Sequence, residues 1–157
     1  MSAVLGANLT QVYTALTEGN TPSLGTIVTV GNKKYKFIEY KEGAAATDGV
    51  AGEVAYYYGP SGTSAGSTTR VTSDLSDSIS VGAGVLQAAM SDGEYGWVQV
   101  SGPATLSIAL SGGGDGAALT PVGASDGTLD VTATLTDPIC AFAIDADAKI
   151  IMCAFPH

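Results

Sequence analysis

The sequence is poor in the residues that enzymes most often use for catalysis and for metal binding. Its single histidine, His157, is the last residue, a position where chain ends commonly fray. A Ser-His-Asp or Cys-His centre would have to be built on that position. Structural zinc needs about four well-placed ligands, which one terminal histidine and two cysteines do not supply. We therefore expect no enzyme activity, no metal and no cofactor.

The two cysteines and a nearby pair of aspartates each allow two interpretations. Cys140 and Cys153 lie in the apolar segments Ile139–Ile144 and Ile150–Phe155, which favours buried free thiols, with a cross-strand disulfide as the alternative. Asp145 and Asp147 sit between these segments, without the glycine and bidentate glutamate of a calcium loop. A solvated turn is the favoured interpretation of this aspartate pair.

Basic residues are also scarce, and their distribution is uneven. The chain has 15 acids and 6 bases, for a formal net charge of −9. The formal charges of residues 1–70 sum to zero, and Lys149 is the only base after Arg70. The whole acidic excess therefore lies in residues 71–157. An acidic surface repels phosphate backbones instead of displacing their counterions. We expect no direct binding to nucleic acid.

Long hydrophobic runs are absent as well. No apolar stretch approaches the roughly 20 residues that a membrane-spanning helix requires. Met1 to Gly19 lacks the basic flank and the continuous apolar core of a signal peptide. The expectations are no membrane association and assembly in a cytoplasm.

What the chain does contain is glycine, threonine, valine and other small residues. Charged residues make up only 13% and there are 21 glycines, a composition that favours strands joined by tight turns over amphipathic helices. We predict an all-β fold, a compact β-barrel or β-sandwich. The domain organisation would be an N-terminal arm over residues 1–20, followed by one β-rich domain over residues 21–157.

Alternating and continuous apolar runs predict most of the strands. A hairpin around Gly31-Asn32 is expected to have one wet face, bearing Lys34 and Lys36, and the last two strands are expected to form a terminal hairpin buried in the core. Ser73–Ser80 reads as a turn or short helix, and Gly59–Ser67 and Ser111–Gly116 read as flexible glycine-rich connections. The predicted strands are Thr26–Val30, Lys33–Tyr40, Glu53–Tyr58, Thr68–Thr72, Val85–Ala88, Thr128–Thr136, Ile139–Ile144 and Lys149–Phe155.

Two groups of residues are candidates for contact with other subunits. The apolar residues of the arm fall near helical spacing, but they lack a strong cap and a charged opposite face, so an extended arm that orders on a partner is favoured. The second group is the basic cluster near residue 35, which is either a docking patch or the wet face of a hairpin. The candidates are Leu5, Leu9, Val12, Tyr13, Leu16, Lys33, Lys34 and Lys36.

The segment Asp92–Leu106 contains the only tryptophan and the most specific motif. Asp92-Gly93 predicts a tight turn, followed by a strand that ends at Gly102-Pro103 and a second strand over Ala104–Leu110. We assign four residues of the first strand to the structural core: Tyr95, Trp97, Val98 and Val100. The Tyr-Gly-Trp-Val-Gln…Gly-Pro-Ala-Thr pattern resembles a hairpin of capsid decoration, or cement, proteins of tailed bacteriophages.

The resemblance extends loosely over residues 22–157, through Leu24–Val28, Tyr35–Ile38 and the alanine-rich Gly43–Val54 segment. It implies a β-rich homotrimer on the outer capsid surface of the virion, bound to the major capsid protein between capsomers. Such a protein would stabilise the shell by many weak contacts and would need no catalytic residues.

Two other classes of function remain as alternatives. A carbohydrate- or receptor-binding β module of a virion would use an aromatic platform made by Tyr56–Tyr58 or by Tyr95 and Trp97, although core burial is the default for such rings. A hydrolase using paired acids is the weakest of the three hypotheses, because no spacing among the 15 acids singles out a pair.

Overall fold

The structure is a computed structural model that describes residues 8–59 and 67–157. Ten strands and one short 3-10 helix, Leu75–Asp77, form the regular structure of these residues, so the predicted compact all-β fold is confirmed. The strands are β1 Ile27–Val30, β2 Lys33–Tyr40, β3 Val54–Tyr58, β4 Arg70–Thr72, β5 Ser78–Leu86, β6 Tyr95–Thr105, β7 Ala118–Thr120, β8 Asp130–Val131, β9 Ala141–Asp145 and β10 Ile150–Ala154.

The strands form a single sheet in the order β1-β2-β4-β3-β5-β6-β10-β9-β7-β8. An additional pairing between β2 and β6 closes a ring of five strands, β2-β4-β3-β5-β6. Every pairing is antiparallel except the short parallel contact of β2 with β4. Strand β6 therefore joins the ring to the β10-β9-β7-β8 extension.

The buried apolar residues form two clusters. The larger one contains Tyr56, Leu86 and Ile151 and extends from the ring under β10 and β9. The smaller one consists of Val28, Tyr35, Phe37 and Trp97 on the β1-β2-β6 part of the sheet. In that smaller cluster, Phe37 and Trp97 meet edge to face, with ring centroids 5.1 Å apart.

The β1-β2 hairpin forms where the sequence predicted it, but its predicted wet face is wrong. Residues 35–38 of β2 are all buried, because the aromatic residues face the small cluster and Lys36 and Ile38 face the ring interior. Since β2 pairs with β1, β4 and β6, both of its faces are covered along most of its length.

The predicted break at Gly102-Pro103 is also wrong, because β6 runs without interruption from Tyr95 to Thr105. Gly102 has a φ of 91°, and a Cβ there would lie 2.5 Å from the carbonyl oxygen of Asn32. This residue lets the strand pass close to the β1-β2 turn and change partners, from β2 and β5 to β10. The glycine that predicted a turn is thus required for a close approach between two backbone segments.

The predicted strand Thr128–Thr136 is reduced to the two residues of β8. The carboxylate of Asp137 accepts hydrogen bonds from the backbone N–H groups of Ala133 and Thr134, at 2.8 and 2.9 Å, and closes a turn there. Leu135 is consequently fully exposed. A local side-chain acceptor has replaced the sheet as the partner of these backbone groups.

Candidate functional site

An apolar face lies on the extension of the sheet. Cross-strand neighbours place Pro103 of β6, Met152 of β10, Phe142 of β9 and Ala118 of β7 in one row across four strands. Ile144, Ile150 and Ala154 lie on the same side of these strands, two residues from members of the row. Ser101 and Thr105 complete this side on β6, and we call these nine residues the uncharged face.

Strand alternation explains why this face is exposed. Ala141, Ala143, Ile151 and Cys153 point inward into the large core cluster. Their neighbours along the chain point outward, and Phe142, Ile144 and Met152 are 43%, 44% and 42% exposed. Residues of this size usually provide the burial that stabilises a fold or an interface, and contiguous apolar patches commonly mark interaction sites.

Charged residues lie at both ends of the uncharged face. At one end, exposed Lys34 of β2 is the cross-strand neighbour of Ser101. At the other end, β9 and β10 are joined by a turn that contains Asp145, Asp147 and Lys149. The face therefore has a basic end and a mainly acidic end, about 13 Å apart along the strands for a rise of about 3.3 Å per residue.

The size of the uncharged face sets its binding strength. Four strands about 4.8 Å apart, over about 13 Å of their length, cover roughly 250 Å². Burying this area on each of two partners gains about 12 kcal/mol at about 25 cal/mol per Å². Association of two proteins costs on the order of 4–15 kcal/mol. One such contact is therefore marginal, and several linked contacts are needed for stable attachment.

The arm residues predicted to contact other subunits are largely occupied within this chain. Leu9 and Tyr13 are half-buried against the small aromatic cluster, and Val12 packs against the large one. Leu16 is exposed, and Leu5 lies outside the described residues. From Asn8 onwards, the predicted arm thus covers part of its own domain.

Tyr13 anchors this segment. Its backbone N–H donates to the Tyr95 carbonyl at 2.8 Å, and the Tyr95 N–H donates to the Tyr13 carbonyl at 2.9 Å. The Tyr13 ring meets Phe37 edge to face, with centroids 5.8 Å apart. Trp97 of β6 lies beneath this covering.

The basic cluster is divided by the fold, and Lys36 is not available for docking. Lys36 is only 5% exposed, and its Nζ donates to the Thr68 carbonyl at 2.6 Å and to the Tyr57 hydroxyl at 3.2 Å. Burial lowers the pKa of Lys36. Lys33 is half-buried and Lys34 is exposed, so Lys34 is the member of the predicted cluster with a free surface position.

Three of the four predicted core residues of the tryptophan motif are buried. Trp97, Val98 and Val100 are at most 2% exposed, whereas Tyr95 is half-buried at the edge of the small cluster, which corrects the prediction for that residue. The indole Nε1 of Trp97 has no hydrogen-bond partner among the described residues. The motif therefore acts in folding, at the crossing of the ring and the extension.

The consecutive tyrosines do not form an exposed platform. Tyr56 and Tyr57 are buried, and Tyr57 donates a hydrogen bond to the Pro156 carbonyl at 2.5 Å. Burial raises the pKa of Tyr57 to about 12. Only Tyr58 at the end of β3 is half-exposed. The aromatic surface on which the sugar-binding alternative rested is consequently not present at Tyr56 and Tyr57.

The two thiols are buried in the core, and Asp145 has a structural role in a turn. Cys140 and Cys153 are free and buried, and burial raises the pKa of each thiol to about 12. Asp145 accepts a hydrogen bond from the Ala148 backbone N–H and thereby holds the turn. Within residues 8–59 and 67–157, no group of three or more His, Cys, Asp or Glu side chains is placed to bind a metal ion. None of the helical structure in these ranges has the length and hydropathy of a membrane span.

Comparison of the chain with protein-family models, curated proteins and solved structures gives no match. The candidate site therefore rests on geometry, and sequence reasoning missed it. A signal was present, because Ile139–Ile144 and Ile150–Phe155 are apolar on both of their alternating faces. The sequence analysis assigned both faces to the core, whereas the structure covers only one of them.

Proposed function

We propose that this protein is a capsid decoration protein of a tailed bacteriophage, which binds the outer shell and holds neighbouring capsomers together. The observation that carries the proposal is the uncharged face, an apolar surface on a chain of net charge −9 through which copies of the protein can associate into the multivalent assembly that a clamp on a shell needs. A flat, apolar surface suits protein partners better than small molecules, which prefer concave sites. The resemblance of the tryptophan motif to phage cement proteins supplies the class of partner.

The mechanism is mechanical. Strand β6 pairs with β2, β5 and β10, so force applied at the extension is transmitted to the closed ring through an eleven-residue strand. A packed β-core of this kind has low compressibility. Copies of the domain on a shell would resist the separation of the capsomers they bridge, without any chemical turnover.

The number of contacts supplies the strength that one contact lacks. In a homotrimer each surface occurs three times, and linked contacts raise avidity by roughly 10²–10⁴. We propose the major capsid protein as the shell partner and exposed Leu16 as a contact to it, since this residue follows the segment that covers the small cluster. The acidic remainder of the surface limits non-specific association of free copies.

The test uses shells that lack the protein. Purified protein is added to such shells, and bound protein is measured after sedimentation, together with the temperature at which the shells rupture. We expect saturable binding in amounts comparable to the shell subunit and a higher rupture temperature. Absence of binding, or binding that leaves the rupture temperature unchanged, would contradict the proposal.

A further inference from the structure

We infer that the uncharged face lines the axis of a homotrimer, with the Lys34 end of each copy against the Asp145–Asp147 turn of the next. The partner of this face is thus a second copy of this chain. The inference deepens the proposed function and rests on it for the number of copies. The choice of surface and the orientation come from the structure.

The first argument is electrostatic. Two copies of a chain with net charge −9 repel each other wherever their acidic surfaces meet. All nine outward residues of the uncharged face are apolar, alanine, serine or threonine. Contact through this face therefore brings apolar groups together while it keeps most acids of both copies apart. A charged partner would gain nothing from the centre of this face.

The second argument concerns the two ends of the face. Lys34 marks one end of the strands, and Asp145 and Asp147, with Lys149 beside them, mark the other. A cyclic assembly joins one end of each copy to the opposite end of the next. When the strands run around the axis, each Lys34 consequently meets the turn of its neighbour, whose two aspartates and one lysine give it a net negative charge.

The third argument is that the sheet is covered on the ring but not on the extension. The segment around Tyr13 covers the outer side of β6 at Trp97, and two backbone hydrogen bonds to Tyr95 hold it there. On the extension, past Gly102, Met152 and its cross-strand neighbour Phe142 remain 42% and 43% exposed. The chain's own N-terminal segment buries apolar residues on the ring. A second copy would bury the apolar residues that remain exposed on the extension.

The size of the face fits the centre of an interface. Stable interfaces bury about 800 Å² per partner, with an apolar centre and a polar rim. The uncharged face provides roughly 250 Å² of this from its four strands. The two charged ends supply the rim. An assembly with this centre dissociates reversibly on dilution.

The first experiment measures molar mass by light scattering across a dilution series. We expect wild type to be a trimer that dissociates on dilution, and Phe142→Glu to require at least tenfold higher concentration to assemble. Ile144→Glu is the second variant, and Leu135→Glu is the control, because Leu135 is a fully exposed leucine in a turn. Circular dichroism checks that each variant is folded. A monomeric wild type, a dimer, or equal effects of Phe142→Glu and Leu135→Glu would overturn the inference.

The second experiment exchanges the charges at the two ends. Asp147 is used because the Asp145 carboxylate holds the turn. At low salt, Lys34→Glu and Asp147→Lys should each weaken assembly several-fold, and the double variant should restore it to within about twofold of wild type, because exposed opposite charges contribute modestly. Additive weakening in the double variant would contradict the proposed orientation.

Shell binding separates this inference from the proposed function. Failure of the wild-type protein to bind shells would contradict the decoration role, whatever its oligomeric state. Trimers that persist in Phe142→Glu, together with normal shell binding by wild type, would contradict only the assignment of the uncharged face.

Discussion

Replacing Trp97 tests whether the most specific motif of the chain acts in folding. Burying a tryptophan removes about 150–250 Å² from water, which corresponds to roughly 4–6 kcal/mol at about 25 cal/mol per Å². The edge-to-face contact with Phe37 adds about 0.5–1.5 kcal/mol. The unpartnered Nε1 opposes this, because a buried donor without an acceptor costs about 1–3 kcal/mol. We expect Trp97→Ala to lower the free energy of unfolding by about 3–5 kcal/mol.

Trp97→Phe separates the stabilisation from ring burial from the cost of the unpartnered Nε1. Phenylalanine keeps much of the ring volume and removes the unpartnered donor, so the loss should be about 0–2 kcal/mol. The assay is urea unfolding followed by far-ultraviolet circular dichroism, because Trp97 is the only tryptophan and its fluorescence is lost in both variants. If Trp97→Ala unfolds within 0.5 kcal/mol of wild type, or if Trp97→Phe is as destabilising as Trp97→Ala, the account of this cluster is wrong.

Three further predictions concern other parts of the fold. Tyr13→Ala should lower unfolding stability by about 1–2 kcal/mol in urea titrations, because it removes a half-buried ring from the small cluster; a loss below 0.3 kcal/mol would mean that this ring does not anchor the segment. Gly102→Ala should cost at least 2 kcal/mol more than the control Gly93→Ala, since both have positive φ but only Gly102 meets a backbone oxygen; equal losses would refute the close approach. The buried thiols Cys140 and Cys153 ionise near pH 9 when unfolded and only near pH 12 when folded, so unfolding stability should fall as the pH rises from 9 to 12; a urea midpoint that rises over this range would contradict the burial of the thiols.

Much of the architecture could be predicted because local patterns and tertiary structure agree. The alternation over Lys33–Tyr40 and the Gly31-Asn32 turn predicted the first hairpin, and the apolar C-terminal segments predicted β9 and β10. The composition, rich in glycine and small β-prone residues, predicted the fold class. In these segments the residues that favour a strand also have the partners that a strand requires.

The misses have a common physical cause, which is that the partner of a residue lies far away in sequence. Gly102 looked like the end of a strand, yet its role is set by the carbonyl of Asn32, which passes close to its Cα. Lys36 looked like a surface residue, yet the Thr68 carbonyl and Tyr57 hydroxyl bind its Nζ in the interior. The second face of the terminal hairpin looked like core because hydrophobicity alone does not state which side is covered.

The uncharged face could not be found from hydrophobicity alone for the same reason. Phe142 and Met152 are as apolar as their buried neighbours, and only the sheet order shows that they lie together and outward. Which charged residue lies at the β6 end of the face also depends on strand register, because the pairing of β2 with β6 brings Lys34 next to Ser101. The order of the strands in the sheet thus brings residues from separate segments of the chain together in one surface.

The central claim is that this protein is a structural component of a virion, and its copy number tests that claim most directly. If the proposal is right, quantitative mass spectrometry of phage particles purified from cells that produce this chain should find it in amounts comparable to the major capsid protein. Its absence from mature particles, or its presence at only a few copies per particle, would contradict the account.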